Sequence, residues 1–245
     1  MTYCLGIKLK EGIVGIADTR ITSGTETTLG KKLFTYEDGN NSLFLMTSGL
    51  RSVRDKALTY FKEVLHTKSE PLDKIYKVVN AFAKQVKQVA SEDKESLQSA
   101  GLHFNIHALI GGQMEGDKEP SMFLVYPEGN WIEVGKSAPF MIIGNSGYGK
   151  PILNRSINYD SNIPFALKTG LLSFDSTRVC ANDVGYPIDV FVYENDSFKF
   201  KIHRFEEKDL RHLSEQWAKI LNDGIAKMSE NFADVFLDKK MKKKK

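Results

Sequence analysis

Two largely apolar runs, Thr2 to Leu9 and Ile13 to Arg20, open the chain and are separated by Lys10-Glu11-Gly12. Short apolar runs broken by turn residues read as paired strands, and a glycine closing a three-residue loop suits a left-handed turn position. With Leu9 paired to Ile13, the register sets Cys4 opposite Asp18 and Thr2 opposite Arg20, all on one face. A buried strand follows at Ser42 to Thr47 and runs into Ser48-Gly49. The period then changes. Val53, Ala57, Tyr60, Phe61, Val64 and Leu65 recur at helical spacing from Arg51 onward, and a second stripe, Leu72 to Val89, follows a start near Pro71.

Strands return at His103 to Ile110, Ser121 to Val125, Trp131 to Val134 and Phe140 to Ile143. Helices follow at Tyr148 to Ile157 and Pro164 to Arg178, then strands at Pro187 to Tyr193 and Phe198 to Phe205. A last helix carries Leu210, Leu213, Trp217, Ile220, Leu221 and Met228. The succession of strand groups and helix groups, with hairpin-length strand links, predicts an α+β fold. Antiparallel sheets are stacked face to face with helices outside.

Composition narrows the class without naming it. The 245 residues suit one large domain, expected over residues 1–238, with a lysine-rich tail at 239–245 read as a solvated, disordered end. That tail accounts for much of the net charge of +3, so the charge argues for no nucleic-acid partner. An apolar content of 41% contains no run long enough to span a membrane, and residues 1–20 lack the order of a signal peptide. The expectation is a cytoplasmic protein. Cys4 and Cys180 cannot build a disulfide framework or a four-cysteine metal site, and both read as small buried residues.

Thr2 becomes chemically interesting if Met1 is removed, because its hydroxyl and a free α-amine then combine nucleophile and base in one residue. The α-amine has an ordinary pKa of about 7.7–8.0, near neutrality. Such a nucleophile needs a nearby cation and an oxyanion donor. The segments Thr2-Tyr3-Cys4-Leu5-Gly6, Gly15-Ile16-Ala17-Asp18-Thr19-Arg20, Lys31-Lys32-Leu33-Phe34 and Thr47-Ser48-Gly49 resemble, in order and spacing, the hallmarks of proteasome β-subunits. Met1-Thr2-Tyr3-Cys4, Tyr148 to Arg155 and Ser173-Phe174-Asp175-Ser176-Thr177 resemble the bacterial Anbu branch more closely.

That resemblance implies a four-layer α-β-β-α sandwich of the N-terminal-nucleophile (Ntn) hydrolase type. It implies a threonine peptidase or amidohydrolase acting on peptides or unfolded polypeptide, with no cofactor and no metal. Thr2 matches the nucleophile, Lys32 the cation beside it, Asp18 the carboxylate that orients the lysine, and the Gly49 amide the oxyanion donor. Arg20 matches a supporting arginine, and Thr47 and Arg51 border the pocket for the residue preceding the cut. Lys31 is the adjacent rival to Lys32. Where proteasome β-subunits carry a serine after a glycine, this chain has Gly144-Asn145-Ser146, so Asn145 occupies that place or Ser146 is displaced by one. Ala181 and Val184 replace a family Asp and Ser, with Asp183 out of register. The resemblance also implies a large homo-oligomer, a ring or helical assembly. The other reading kept open is a non-hydrolysing homo-oligomeric scaffold.

Two further motifs point elsewhere. Gly144 to Pro151 approaches a phosphate-cradling loop, but Pro151 stands where a Ser or Thr hydroxyl is needed, so a turn and helix start are expected. His103 and His107 share a face of an expected strand without a third ligand, so polar or packed histidines are expected.

Overall fold

The computed structural model describes residues 2–23, 25–67 and 71–236. Met1 and the lysine-rich tail expected at 239–245 lie outside them. The chain divides into two compact units, Met1–Glu207 and Lys208–Lys245.

In the first unit β1 (Tyr3–Leu9) and β2 (Gly12–Asp18) are buried along their whole length. They pair antiparallel with Leu9 opposite Gly12 and Cys4 opposite Ala17. The loop therefore has two residues, Lys10 and Glu11, and the register is one residue off the expected one. Gly12 is the cause. It is the first residue of β2, with φ +153°, and a Cβ there would lie 1.9 Å from the Tyr193 carbonyl oxygen of the next strand. The glycine serves close strand approach rather than a turn. The expected pairings of Thr2 with Arg20 and Cys4 with Asp18 do not form, and Asp18 falls in line with Tyr3.

Beyond β2 come β3 (Arg20–Ser23), β4 (Glu26–Leu29), β5 (Leu33–Asp38) and β6 (Asn41–Gly49), then α1 (Arg51–Thr67) and α2 (Ile75–Ser99). Helix α2 starts at Ile75 and not at Pro71, because the Asp117 carboxylate accepts the Ile75 N–H at 2.8 Å and so caps the helix there. Next are β7 (Ile106–Gln113), β8 (Ser121–Val125), β9 (Trp131–Glu133) and β10 (Phe140–Gly144). Helices α3 (Lys150–Ser156) and α4 (Ile163–Arg178) precede β11 (Ile188–Glu194) and β12 (Phe200–Phe205). Asp196 and Phe198 have φ of 58° and 50°, which delays β12 past the expected Phe198. His103 likewise falls before β7 instead of within it.

One antiparallel sheet has the order β10-β1-β2-β11-β12 and another β5-β6-β7-β8-β9, with β3-β4 as a separate hairpin. Cys4, Phe44, Met46, Leu109, Met122 and Phe191 belong to one buried cluster drawn from both large sheets. Val53, Ala57 and Phe61 of α1 and Val78, Phe82 and Val86 of α2 share another with β6, β7 and β8. Fully burying such a side chain contributes about 1.5–3 kcal/mol. On the other sheet α4 packs over β1 and β2, and at Gly170 a Cβ would come within 2.8 Å of Ile16.

The second unit holds most of α5 (Glu207–Ala226) and a 3-10 turn, Asn231–Val235. No described helix is long and apolar enough to cross a membrane.

Candidate active site

Asp18 is the last residue of β2 and is completely buried. Immediately after it, Thr19 turns the chain outward, its N–H and hydroxyl both donating to the Pro187 carbonyl at 3.1 and 2.7 Å. The β3-β4 hairpin makes an excursion and returns, closed by the Gly30 N–H donating to the Thr19 carbonyl at 2.8 Å. Lys32 thereby comes back to the point the chain had left. Its Nζ donates to Asp18 Oδ1 and to the Arg20 carbonyl, both at 2.6 Å.

The same carboxylate oxygen accepts two more bonds, from Thr2 Oγ1 at 2.8 Å and from the Tyr3 N–H at 2.9 Å. Three donors converge on Oδ1, while Oδ2 is buried without a partner among the described residues. Burial pushes the Asp18 carboxyl up from the ordinary carboxylate range, against the Lys32 charge and the three donors that hold it down. Thr2, Asp18 and Lys32 are thus brought together in one buried cluster.

Thr2 is fixed from behind as well. Its carbonyl accepts the Asn145 N–H at 2.7 Å, and Gly144, at φ +89°, lies so close that a Cβ would sit 2.0 Å from that carbonyl oxygen. Asn145 touches Thr2 through its backbone. The Ser146 carbonyl instead accepts the Lys150 N–H at 3.3 Å, at the opening of α3. The Gly144 to Pro151 segment therefore clamps Thr2 and starts a helix. Arg20 does not face Thr2 across a strand pair: its guanidinium donates to the Asn182 carbonyl at 2.8 Å and packs where a Cβ on Gly185 would intrude. Ala181 and Val184 are buried in that same turn.

A cleft of about 320 Å³ opens over Thr2 and Lys32 and is walled by Thr47, Gly49 and Arg51. Gly49 ends β6 at φ +125°, where a Cβ would lie 2.2 Å from the Asn105 carbonyl oxygen. Beneath the cleft the Cys4 thiol is 4.0 Å from the Thr47 carbonyl, and burial pushes it up to about 12. It stays protonated and is no rival nucleophile. Cys180, expected to be buried, is exposed, two residues beyond the last residue of α4.

Neither a family model nor a curated protein sequence matches the chain. Solved structures do. Anbu from Hyphomicrobium sp. strain MC1 is 31% identical over 93% of this chain and 98% of that one, with a TM-score of 0.84. Its Gly-1 mutant is 32% identical over 94% and 99%, with a TM-score of 0.86. The chain belongs to the Anbu family. Anbu from Pseudomonas aeruginosa, solved as a helical assembly, is 28% identical over 93% of this chain and 97% of that one, at a TM-score of 0.88. Anbu from Yersinia bercovieri, described as an ancestral β-subunit, is 27% identical over 93% and 98%, at 0.86.

Several cleft residues of this Anbu-family chain escaped the sequence reading. Arg54 lies one turn beyond Arg51, so helical spacing alone points both at the cleft. His103 and Asn105 also wall it, but they sit on an irregular approach to β7 that carries no periodic signal. Among the described residues no group of three His, Cys, Asp or Glu side chains is placed to hold a metal. His107 is half-buried against Tyr126.

Proposed function

We propose that this Anbu-family chain is an Ntn amidohydrolase with a four-layer α-β-β-α architecture, cleaving amide bonds in peptides or unfolded polypeptide through Thr2 once Met1 has been removed. The observation that carries this reading is the convergence of Thr2 Oγ1 and Lys32 Nζ on one buried oxygen of Asp18, directly below an open cleft. Lys32 is nearly buried and its ammonium is held within 2.6 Å of both its partners. A fixed positive charge beside the hydroxyl favours developing alkoxide, and Asp18 orients both groups.

In the proposed cycle the free Thr2 amine accepts the hydroxyl proton as Oγ1 attacks the carbonyl carbon. Negative charge collects on the carbonyl oxygen and is met by the Gly49 N–H. The tetrahedral species collapses as the amine returns the proton to the leaving nitrogen, leaving an ester on Oγ1. Water, deprotonated by the same amine, attacks that ester and releases the acid. Asn145 and Gly144 hold the Thr2 backbone, Arg20 and Ser146 act at one remove, and Thr47 and Arg51 border the substrate.

The chain works as a homo-oligomer in this reading, supported by the helical assembly of the Pseudomonas aeruginosa relative. Identical subunits in head-to-tail contact close a ring only without axial rise and otherwise form a spiral. The test is hydrolysis of blocked peptide amides by the processed full-length chain. Removing the nucleophile in Thr2→Ala is expected to lower kcat by at least about a thousandfold. An unchanged rate would assign the chemistry elsewhere, and no hydrolysis by either form would favour the non-hydrolysing scaffold.

A further inference from the structure

A second cleft of about 310 Å³ adjoins the first across Lys32, Thr47 and Arg54. Its apolar floor includes Leu45 and Leu58, and its rim carries Lys31, Lys62 and Arg54. Lys31 is exposed, and the Lys62 ammonium sits 5.3 Å from the centre of the Phe34 ring on the same wall. Across the two clefts the cations are Arg20, Lys31, Lys32, Arg51, Arg54 and Lys62.

The carboxylates that answer them are few. Asp18 is spent on Lys32. Asp55 accepts Arg54 Nε and Nη2 at 2.8 and 2.7 Å and Arg51 Nε at 3.4 Å. No other carboxylate lines either cleft among the described residues. The cations outnumber the lining carboxylate Asp55, and a cleft with a net positive lining concentrates ligands of the opposite sign. An apolar floor with a cationic rim matches a short methylene stem ending in a carboxylate.

Building on the proposed Thr2 chemistry, we infer that the preferred substrate is an acidic peptide segment, with a glutamate side chain seated in this second cleft just before the cut. The stem lies on Leu45 and Leu58, and the carboxylate meets Arg54 and Lys31. Asp55 holds the Arg54 fork in place. A lysine or arginine at the same position meets like charge and is rejected, which gives selection by repulsion as well as attraction.

Binding tests this without turnover. Rhodamine-labelled peptides blocked at both ends and differing only in Glu, Gln or Lys at one position are titrated into the full-length Thr2→Ala protein by fluorescence anisotropy. The Glu peptide is expected to bind about tenfold more tightly than its Gln isostere, the scale of one charge-assisted pair, and the Lys peptide more weakly than either. Added salt narrows the difference. Arg54→Gln and Lys31→Gln each shrink the Glu-to-Gln ratio, while Lys136→Gln, on another surface, leaves it unchanged.

A ratio near one, a preference for Lys, or a ratio untouched by both cleft variants would overturn the inference. A Gln peptide with a free C-terminal carboxylate binding as well as the Glu peptide would also overturn it, by showing that a chain end supplies the charge. Because binding is read on the Thr2→Ala protein, the acidic preference stands or falls apart from the nucleophile. Trapping at Thr2 in the unsubstituted chain is read separately.

Discussion

Among the described residues Oδ1 of Asp18 takes three donors and Oδ2 takes none, an imbalance that makes the residue sensitive to the Lys32 cation. Lys32→Met leaves a buried carboxylate unpaired and is expected to cost about 3 kcal/mol near neutral pH. Lys31→Met removes an exposed charge and stays within about 0.5 kcal/mol. The sign of the pH dependence follows from the raised carboxyl. Its contribution to stability is full below the unfolded value of 3.8 and is lost as pH rises through the folded value. Without Lys32 that folded value rises further, so the deficit of Lys32→Met is smallest in acid and widens as pH rises past the folded value of the unsubstituted protein. Urea melts across a pH series measure it, and a deficit independent of pH would contradict the coupling. Trapping at Thr2 is expected to fall far more in Lys32→Met than in Lys31→Met. The two cysteines offer a second check: brief alkylation of the native protein, read by mass, should modify exposed Cys180 and spare Cys4.

Among the elements, those legible in the sequence were the ones with an uninterrupted periodic signal. The stripes of α1 and α2 stand at helical spacing because each helix packs one face on a sheet. Strands β1 and β2 show as apolar runs because both faces are covered, but a run apolar on both faces cannot report its register, and Gly12 was open to two readings. The β3-β4 hairpin was not foreseen, since β4 is exposed throughout and Glu26-Thr27-Thr28-Leu29 has no buried alternate face. Yet that hairpin is what returns Lys32 to Asp18. The placing of Lys32 therefore came from likeness to a family and not from residue pattern. At the seam of β1 and β10, Gly144 is held at a positive φ against the Thr2 carbonyl. Gly144→Ala is expected to lower stability by about 1–3 kcal/mol and to slow trapping at Thr2 by displacing its backbone. Unchanged trapping kinetics would separate that seam from the chemistry.

At the scale of the whole molecule, likeness to Anbu structures covers more than nine-tenths of the chain, so the fold is shared from β1 onward and not confined to a motif. The outward faces of α1 and α2 carry ion pairs such as Lys56 with Glu92 and Asp93, each at 2.7 Å, and α2 also exposes the ring of Tyr76. In the second unit Ile225, Met228, Phe232 and Phe236 are exposed, surface that contact between copies would cover. Mass photometry is expected to find discrete multimers of the 27.6 kDa chain, and a population that stays monomeric at high concentration would contradict assembly. The most direct measurement concerns Thr2 itself. The full-length chain is treated with a peptide electrophile selective for an N-terminal threonine, and the adduct is located by peptide mass mapping. A Thr2 nucleophile predicts loss of Met1 and a single adduct on Thr2, absent from Thr2→Ala; an adduct that persists in Thr2→Ala, or an unmodified Thr2 in fully processed chain, would contradict it.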